Sequence, residues 1–381
     1  KEATARSLVL YPAERPIRAK IELQVQEGDS FKNIKQFTLN RTNPALNVGF
    51  EPYAPGAISL PEVKDQKLRL VMEANPGSGI KRILLSPSPV MERFAEKSLA
   101  KMHQTPLPYW HDYLWDEQPD VTSYKMAQPN EILDISGYMD DQGLLTWDVP
   151  EGEWIIMRTG MTPTGVTNSP ASPEGTGLEV DKMSKEHVAS HFDAYLGMIL
   201  ERIPADDRKT LKVAVQDSYE TGGQNFTDDF LKEFQKRYGY DPVPFLPVFK
   251  GHIIGSPDLS DRFLWDVRRF VADKISYDYV GGLRKISHEH GMTTWLENYG
   301  HWGFPGEFLQ YGGQSDEVGG EFWNEGNLGS IENRAASSCA HIYGKPKVSA
   351  ESFTCGEGSY SRYPAILKQR GDWSFTEGVN N

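Results

Sequence analysis

Long apolar runs are missing from this sequence, which contains no stretch of about 18 consecutive apolar residues. A helix that crosses a membrane is therefore excluded. Basic residues are scarce relative to acidic ones, because 40 Lys and Arg stand against 53 Asp and Glu and leave a formal net charge of −13. That balance argues against nucleic acid or an anionic membrane surface as the main partner, and it is compatible with a neutral substrate.

Cysteine is also rare, and the two that are present, Cys339 and Cys355, allow either one disulfide or two free thiols. Several catalytic motifs are absent. The sequence has no GxSxG nucleophile elbow, no P-loop, no GxGxxG motif after a strand and no HExxH zinc motif. Serine-hydrolase, nucleotide-dependent and zinc-protease chemistries therefore have little support.

Residues 1–150 have the pattern of β structure. Short β-rich runs, such as those at 7–13, 19–26 and 80–87, are separated by turn residues and by no helical stretch. This arrangement predicts an antiparallel β-sandwich. A polar, aromatic loop at 91–130 interrupts it. The loop could line the edge of a binding cleft, or its rings could simply pack on the sandwich.

Residues 151–381 alternate between predicted strands and predicted helices, the longest helices at 184–203 and 260–290. The strand candidates are 153–161, 211–217, 292–298, 311–318, 346–353 and 373–378. Alternation of this kind predicts parallel strands, and hence a (β/α)8-type barrel after the sandwich, an α/β plus all-β fold. About six strands fall short of the eight that a closed barrel needs. We therefore expect C-terminal strands to be missing from a chain that is itself a processed or truncated product.

Carboxylates recur where the predicted barrel strands end, at Asp217, Glu220, Glu297, Asp316, Glu317, Glu321 and Glu351. In parallel (β/α) proteins the loops at this edge form the active site. Aromatic residues stand close by in the sequence at Trp295, Trp302 and Trp323. Two carboxyl groups, one protonated and one ionised, are the usual means of hydrolysing a glycosidic bond. The pattern therefore favours a glycoside hydrolase.

A succession of motifs resembles glycoside hydrolase family 106, the α-L-rhamnosidases. In chain order these are "GLLTWDVPEGEWIIMRTGMTPTG", "GTGLEVDKMSKEHVASHF", "DSYE", "KRYGYDPVPFLPV", "SDEVGGEFW", "SAESF" and "FTEGVN". The resemblance covers most of residues 130–381. It implies a secreted or periplasmic bacterial enzyme that acts on plant polysaccharides and glycosides and belongs to a multi-domain protein.

The resemblance also implies an inverting, calcium-dependent mechanism with two glutamates. Position by position, Glu220 of "DSYE" matches the general acid and Glu351 of "SAESF" matches the general base. An inverting enzyme needs a carboxyl separation of roughly 6.5–9.5 Å, whereas about 5 Å indicates a retaining one.

The metal and substrate contacts are assigned here from residue type and position. Calcium takes oxygen ligands, and the candidates are Glu297, Glu317 and Glu321, with Asp217 as a lesser one; a salt bridge is the alternative for Glu317 and Glu321. The candidate substrate-binding residues are Asp181, Asp217, Trp295, Asn298, Trp302 and Trp323. Helix capping, or packing at the start of a helix, explains Asp181 equally well.

The predicted function is release of terminal α-L-rhamnose by an exo-acting enzyme, with an oligo- or polysaccharide containing L-rhamnose as substrate. Two alternatives remain. One is another sandwich-plus-barrel glycosidase of the β-galactosidase type. The other is a barrel that binds carbohydrate without catalysis.

Overall fold

The computed structural model describes residues 4–42, 49–64, 67–102, 115, 117–121, 123–298, 305–325, 331–356 and 358–381. Within these ranges, no helix is both long and apolar enough to cross a membrane. Both cysteines are free thiols; Cys339 is buried and Cys355 is exposed.

Two antiparallel sheets lie at the N-terminal end. Their strands are β1 Thr4–Pro12, β2 Ile17–Glu27, β3 Ser30–Arg41, β4 Gly56–Lys64, β5 Leu68–Ala74 and β6 Ile80–Ser86. The orders are β4–β1–β6 and β3–β2–β5. Side chains alternate along a strand, so each sheet has an apolar face, and residues of both sheets share one apolar core. The antiparallel sheets predicted from the sequence are confirmed, whereas the domain boundary near residue 150 stays a prediction.

A parallel sheet occupies the C-terminal half, with strands β7 Val213–Gln216, β8 Thr293–Glu297, β9 Glu317–Trp323 and β10 Val348–Thr354. Its order is β10–β9–β8–β7, and every neighbouring pair runs parallel. The parallel strands predicted after residue 150 are therefore present in part. Closure into an eight-stranded barrel stays a prediction.

Three strand predictions differ from the structure. Residues 153–161 have no regular secondary structure and belong to no sheet in the described part of the chain, and Ile155 and Ile156 are 86% and 57% exposed. Residues 373–376 lie in a helix, because a helix starts at Pro364 and runs through them. The strand predicted at 311–318 begins only at Glu317. Short apolar runs do not distinguish strand from helix by periodicity alone.

The helices are α1 Phe94–Lys97, α2 Lys185–Phe192, α3 Met198–Arg202, α4 Phe230–Tyr238, α5 Pro257–Lys274, α6 Gly281–Glu289, α7 Phe308–Gly313, α8 Ile331–Tyr343 and α9 Pro364–Thr376. Short π-helical segments, Asp193–Gly197 and Ile275–Val280, join α2 to α3 and α5 to α6. The two long predicted helices are thus confirmed as continuous helical segments.

Trp115 belongs to the predicted aromatic loop and lies within the described residues. The Lys97 ammonium is 5.5 Å and the Arg268 guanidinium 4.9 Å from its ring centroid. Both cations belong to helices, α1 and α5, so packing of the loop on the sandwich stays a prediction. The predicted residues 103–114 lie outside the described residues.

The parallel sheet has two different faces. Leu296, Val318 and Val348 point to the face that the helices cover and are buried. Side chains alternate, so the odd-numbered residues of β7, β8 and β9, and of β10 as far as Glu351, point to the opposite face. There Val215 is 69% exposed, and the Trp295 indole lies over Gly319 and donates to the Ser349 hydroxyl. This second face is called the cleft face below.

Candidate active site

Four carboxylates come together on the cleft face, and we call Asp217, Glu297, Glu321 and Glu351 the acidic cluster. Glu351 of β10 is paired in register with Glu321 of β9, and Glu297 of β8 is paired with Gly319. Asp217 directly follows β7. Since the C-terminal ends of parallel strands share one edge, acids that end neighbouring strands must approach one another. Carboxylate oxygens of Asp217, Glu297 and Glu351 all lie within 4.8 Å of one another.

Glu297 is the buried member of the cluster, with 1% of its surface exposed. Burial, a hydrogen bond with Asp217 and the charges of Glu321, Asp217 and Glu351 together raise its pKa to about 10. The Glu297 carboxyl is therefore neutral near pH 7 unless a cation compensates it. Its Oε1 has no hydrogen-bond partner among the described residues.

The Glu321 carboxyl is influenced by the charges of both predicted catalytic acids. Burial raises its pKa, a hydrogen bond donated by the Trp323 indole works in the opposite direction, and the charges of Glu351, Glu332 and Glu220 raise it again. Glu351 is the register partner of Glu321, and the charge of Glu220 acts on the same carboxyl.

Glu220 is held by the loop that follows β7. Its carboxylate is exposed and accepts a hydrogen bond from the Ser218 hydroxyl at 2.8 Å. The neighbouring Tyr219 points inward, where its hydroxyl donates to the Gly222 carbonyl at 3.0 Å. A phenol anchored in the core thus fixes the backbone beside an exposed acid.

The same loop packs against the segment after α1. A Cβ on Gly223 would lie 2.3 Å from the Leu99 carbonyl oxygen, so only glycine permits this approach. Two residues further on, the Asn225 amide donates to the Ser98 carbonyl at 2.8 Å. The position of Glu220 therefore depends on residues more than a hundred positions earlier in the chain.

Glu351 is exposed near the end of β10, where its Oε1 accepts a hydrogen bond from the Thr354 hydroxyl. Neither Thr354 nor Ser218 was among the residues predicted from the sequence. Each hydroxyl lies within three positions of an acid that it contacts. That proximity was the available signal, but it does not reveal which way either side chain points.

Glu317 is not brought into the acidic cluster. It begins β9 instead of following it, so it lies at the opposite end of that strand from Trp323. Its carboxylate is paired with the Lys347 ammonium at 3.1 Å. The expectation that Glu317 follows its strand is wrong, and the salt bridge is what the structure contains. Asp316 lies one position before this strand, at the same end of the sheet as Glu317.

Two further candidates contact the protein itself. Asn298 is fully buried on the helix-covered side, where a Cβ on Gly312 would lie 2.8 Å from its Nδ2. Asp181 accepts hydrogen bonds from the Met183 backbone N–H at 2.8 Å, from the Thr227 hydroxyl at 2.7 Å and from Gln224. These bonds do not cap α2, whose N-cap is Ser184, and they match the alternative of packing at the start of that helix.

The aromatic candidates differ in position. Trp323 follows Glu321 on the cleft face, and 43% of its surface is exposed beside the acids. Trp295 lies deeper on the same face, over Gly319. Trp302 lies outside the described residues.

An antiparallel β-sandwich followed by a parallel α/β unit, with carboxyl groups gathered at the C-terminal strand ends, is an arrangement suited to glycoside hydrolysis. The comparisons with known proteins agree. The chain belongs to the α-L-rhamnosidase family, glycoside hydrolase family 106, whose model matches residues 14–381.

A solved structure and a curated protein are similar to this chain. The structure of a rhamnosidase from Novosphingobium sp. PP1Y superposes with a TM-score of 0.81 at 26% identity, covering 100% of this chain and 36% of that one. A protein of Formosa agariphila named "Putative beta-glucuronidase" is 37% identical over 268 residues, which is 70% of this chain and 23% of that protein. The chain thus spans about a quarter to a third of these relatives.

Proposed function

We propose that the protein is an exo-acting, inverting α-L-rhamnosidase that removes terminal α-L-rhamnose from plant-type glycans. The observation that carries this proposal is the acidic cluster on the cleft face of a family 106 chain, where Glu351 is in register with Glu321 and the charge of Glu220 acts on the same carboxyl. Glu220 and Glu351 come from opposite edges of the sheet, since Glu220 follows β7 and Glu351 lies in β10. This arrangement supports a sugar bound between an acid and a base.

In the proposed mechanism, Glu220 is the general acid and donates its proton to the glycosidic oxygen as the bond to the anomeric carbon breaks. Glu351 is the general base and takes a proton from a water that attacks the anomeric carbon on the opposite face. The product is β-L-rhamnose. Room for the water requires a carboxyl separation of roughly 6.5–9.5 Å.

The acidic cluster fits a calcium ion. Carboxylate oxygens of Asp217, Glu297 and Glu351 lie within 4.8 Å of one another, which is compatible with ligand distances of about 2.3–2.6 Å. In addition, the buried Oε1 of Glu297 lacks a partner within the described ranges. Asp217 and Glu297 would hold the ion, and Glu351 would remain the base. When bound, calcium would orient sugar hydroxyls and offset the negative charge.

A β-glucuronide is the second candidate substrate, because one relative is named for that activity. The charge of the site argues against it. The charged groups that act most on Glu297 and Glu321 are all carboxylates, and a glucuronide would add another next to them. Rhamnose is neutral and avoids this repulsion.

Hydrolysis of nitrophenyl glycosides by the complete natural protein tests the proposal. We expect release of nitrophenol from the α-L-rhamnoside and none from the β-glucuronide or the β-galactoside. Release from either β-glycoside but not from the rhamnoside would refute the assigned substrate. Rhamnoside binding without turnover, unchanged in a Glu351→Gln variant, would support the non-catalytic alternative.

A further inference from the structure

A β-bulge interrupts the pairing of β10 with β9 two residues after Glu351. Ser352 is paired with Phe322, but the next pair joins Thr354 to Trp323, so Phe353 is the extra residue. Phe353 has a φ of +62°. A bulky side chain rarely adopts this left-handed conformation, which persists only where the surroundings impose it.

Because of the bulge, Thr354 replaces Phe353 on the cleft face. In a regular strand Phe353 would share the face of Glu351, because side chains alternate. Instead its ring packs against Phe322, with ring centroids 4.8 Å apart. The ring also reaches α9, where a Cβ on Gly371 would lie 3.1 Å from it. The position opposite Trp323 is then taken by Thr354.

Hydrogen bonds from Asn324 stabilise the backbone of the bulge. The Asn324 backbone N–H donates to the Thr354 carbonyl and its side-chain amide donates to the Phe353 carbonyl, both at 2.9 Å. From its new position the Thr354 hydroxyl donates to Oε1 of Glu351. A strained residue is thus retained directly beside a bond to the predicted base.

We propose that Thr354 is a positioning residue for Glu351 and that the bulge at Phe353 serves to bring its hydroxyl there. The inference rests on the proposed function, because it takes Glu351 to be the base. A donor on Oε1 fixes the rotation of the carboxylate and directs Oε2 toward the attacking water. Threonine suits this task because its branched side chain has few χ1 conformations.

Kinetics of Thr354→Val and Thr354→Ser in the complete natural protein test the inference. Valine keeps the shape but removes the donor, so we expect kcat to fall by about 10- to 100-fold, within the contribution of a general base. KM should stay within about twofold, since the hydroxyl binds no substrate in this account. Serine keeps the donor and should restore kcat to within about fivefold of wild type. Equal melting temperatures of the two variants would show that the loss is not one of folding.

The outcomes separate this inference from the proposed function. Wild-type kcat in Thr354→Val, together with an inactive Glu351→Gln, would refute the role of Thr354 and leave the base in place. An equal loss in Thr354→Ser and Thr354→Val would also refute it, because the donor would then be irrelevant. Full activity of Glu351→Gln would remove the base, and with it both the proposed function and the role of Thr354.

The role of the bulge has its own test. Phe353→Gly removes the Cβ that makes a positive φ costly, so the bulge should survive and kcat should remain above that of Thr354→Val. A kcat as low as that of Thr354→Val, in a Phe353→Gly variant with a native circular dichroism spectrum, would contradict the role given to the bulge.

Discussion

Glu351 lies directly opposite Glu321 in the parallel pairing of β10 with β9. Two carboxylates on one face of neighbouring strands repel each other, and a fold retains such a pair only if a proton or a cation compensates the charge. Asp217 and the buried Glu297 add to the same problem. The sheet is therefore locally destabilised where strands β7 to β10 end, which is typical of catalytic sites.

Glu220 can be tested as a proton donor by changing the leaving group. A general acid matters most when the departing oxygen is strongly basic. In Glu220→Gln we expect kcat/KM for a sugar leaving group to fall by about 10²–10⁴-fold, and for an activated nitrophenyl leaving group to fall much less. Parallel assays of the two substrates give the ratio. An equal loss on both substrates would contradict the role of Glu220 as acid.

The calcium ligands can be tested without any turnover. Titration calorimetry of chelator-treated protein should show that Asp217→Asn and Glu297→Gln weaken calcium binding roughly tenfold or more, because each variant removes one oxygen ligand. Glu317→Gln is the matched control, since Glu317 is paired with Lys347 instead. It should bind calcium like the wild type. Loss of binding in Glu317→Gln, or normal binding in Asp217→Asn, would refute this ligand set.

Asp316 is predicted to stabilise the fold, not the reaction. It accepts hydrogen bonds from the Thr294 N–H, the Arg284 guanidinium and the His288 ring, each at 2.8 Å. Burial alone would raise its pKa, but these donors lower it below the usual value. Asp316→Asn should lower the free energy of unfolding at pH 7 by about 1–3 kcal/mol, because the buried Thr294 N–H and two partly exposed side-chain donors lose a charged acceptor.

The same carboxylate gives the pH dependence a definite sign. Because the pKa of Asp316 is lower in the folded state, the unfolded state takes up the proton first as the pH falls. Its stabilisation is thus present above the unfolded pKa and is lost on acidification. Urea midpoints measured from pH 7 to pH 3 should fall less steeply for Asp316→Asn than for the wild type. Identical slopes would contradict this prediction.

Gly223 should be intolerant of any side chain. Since the new Cβ would meet the Leu99 carbonyl at 2.3 Å, the loop must shift, and Gly223→Ala should cost about 1–3 kcal/mol of stability. Glu220 lies three residues away and would be displaced, so kcat should also fall, by roughly tenfold or more. Gly177→Ala is the control, since a Cβ there meets no atom within 4 Å. Equal behaviour of both variants would contradict the docking of the loop.

Much of the fold could be predicted because its strands carry regular patterns. Strands β7, β8 and β10 are short β-rich runs that end in polar residues, and the sandwich strands alternate clearly. Residues 153–161 show the limit of this signal, because an apolar run can also remain outside any sheet and exposed. Helix α8 was not predicted, since its small and polar residues form no clear apolar stripe.

The site residues could be predicted where an acid follows a strand. They could not be predicted where the position of a side chain depends on the exact strand bounds or on a bulge. Glu220, Glu297 and Glu351 could be found from the strand ends and the motifs. Glu317 was misplaced because its strand starts at this residue, and such a shift moves a side chain to the opposite edge of the sheet. Thr354 could not be found, because a bulge changes which face a residue occupies and Phe353 has no turn-forming character.

The anomeric form of the first product tests the central claim most directly. Proton NMR during hydrolysis of nitrophenyl α-L-rhamnoside distinguishes the two anomers before mutarotation mixes them. If Glu220 acts as acid and Glu351 as base on opposite sides of the sugar, β-L-rhamnose forms first and the α anomer follows slowly. First formation of the α anomer would show retention through a covalent intermediate and would contradict the account.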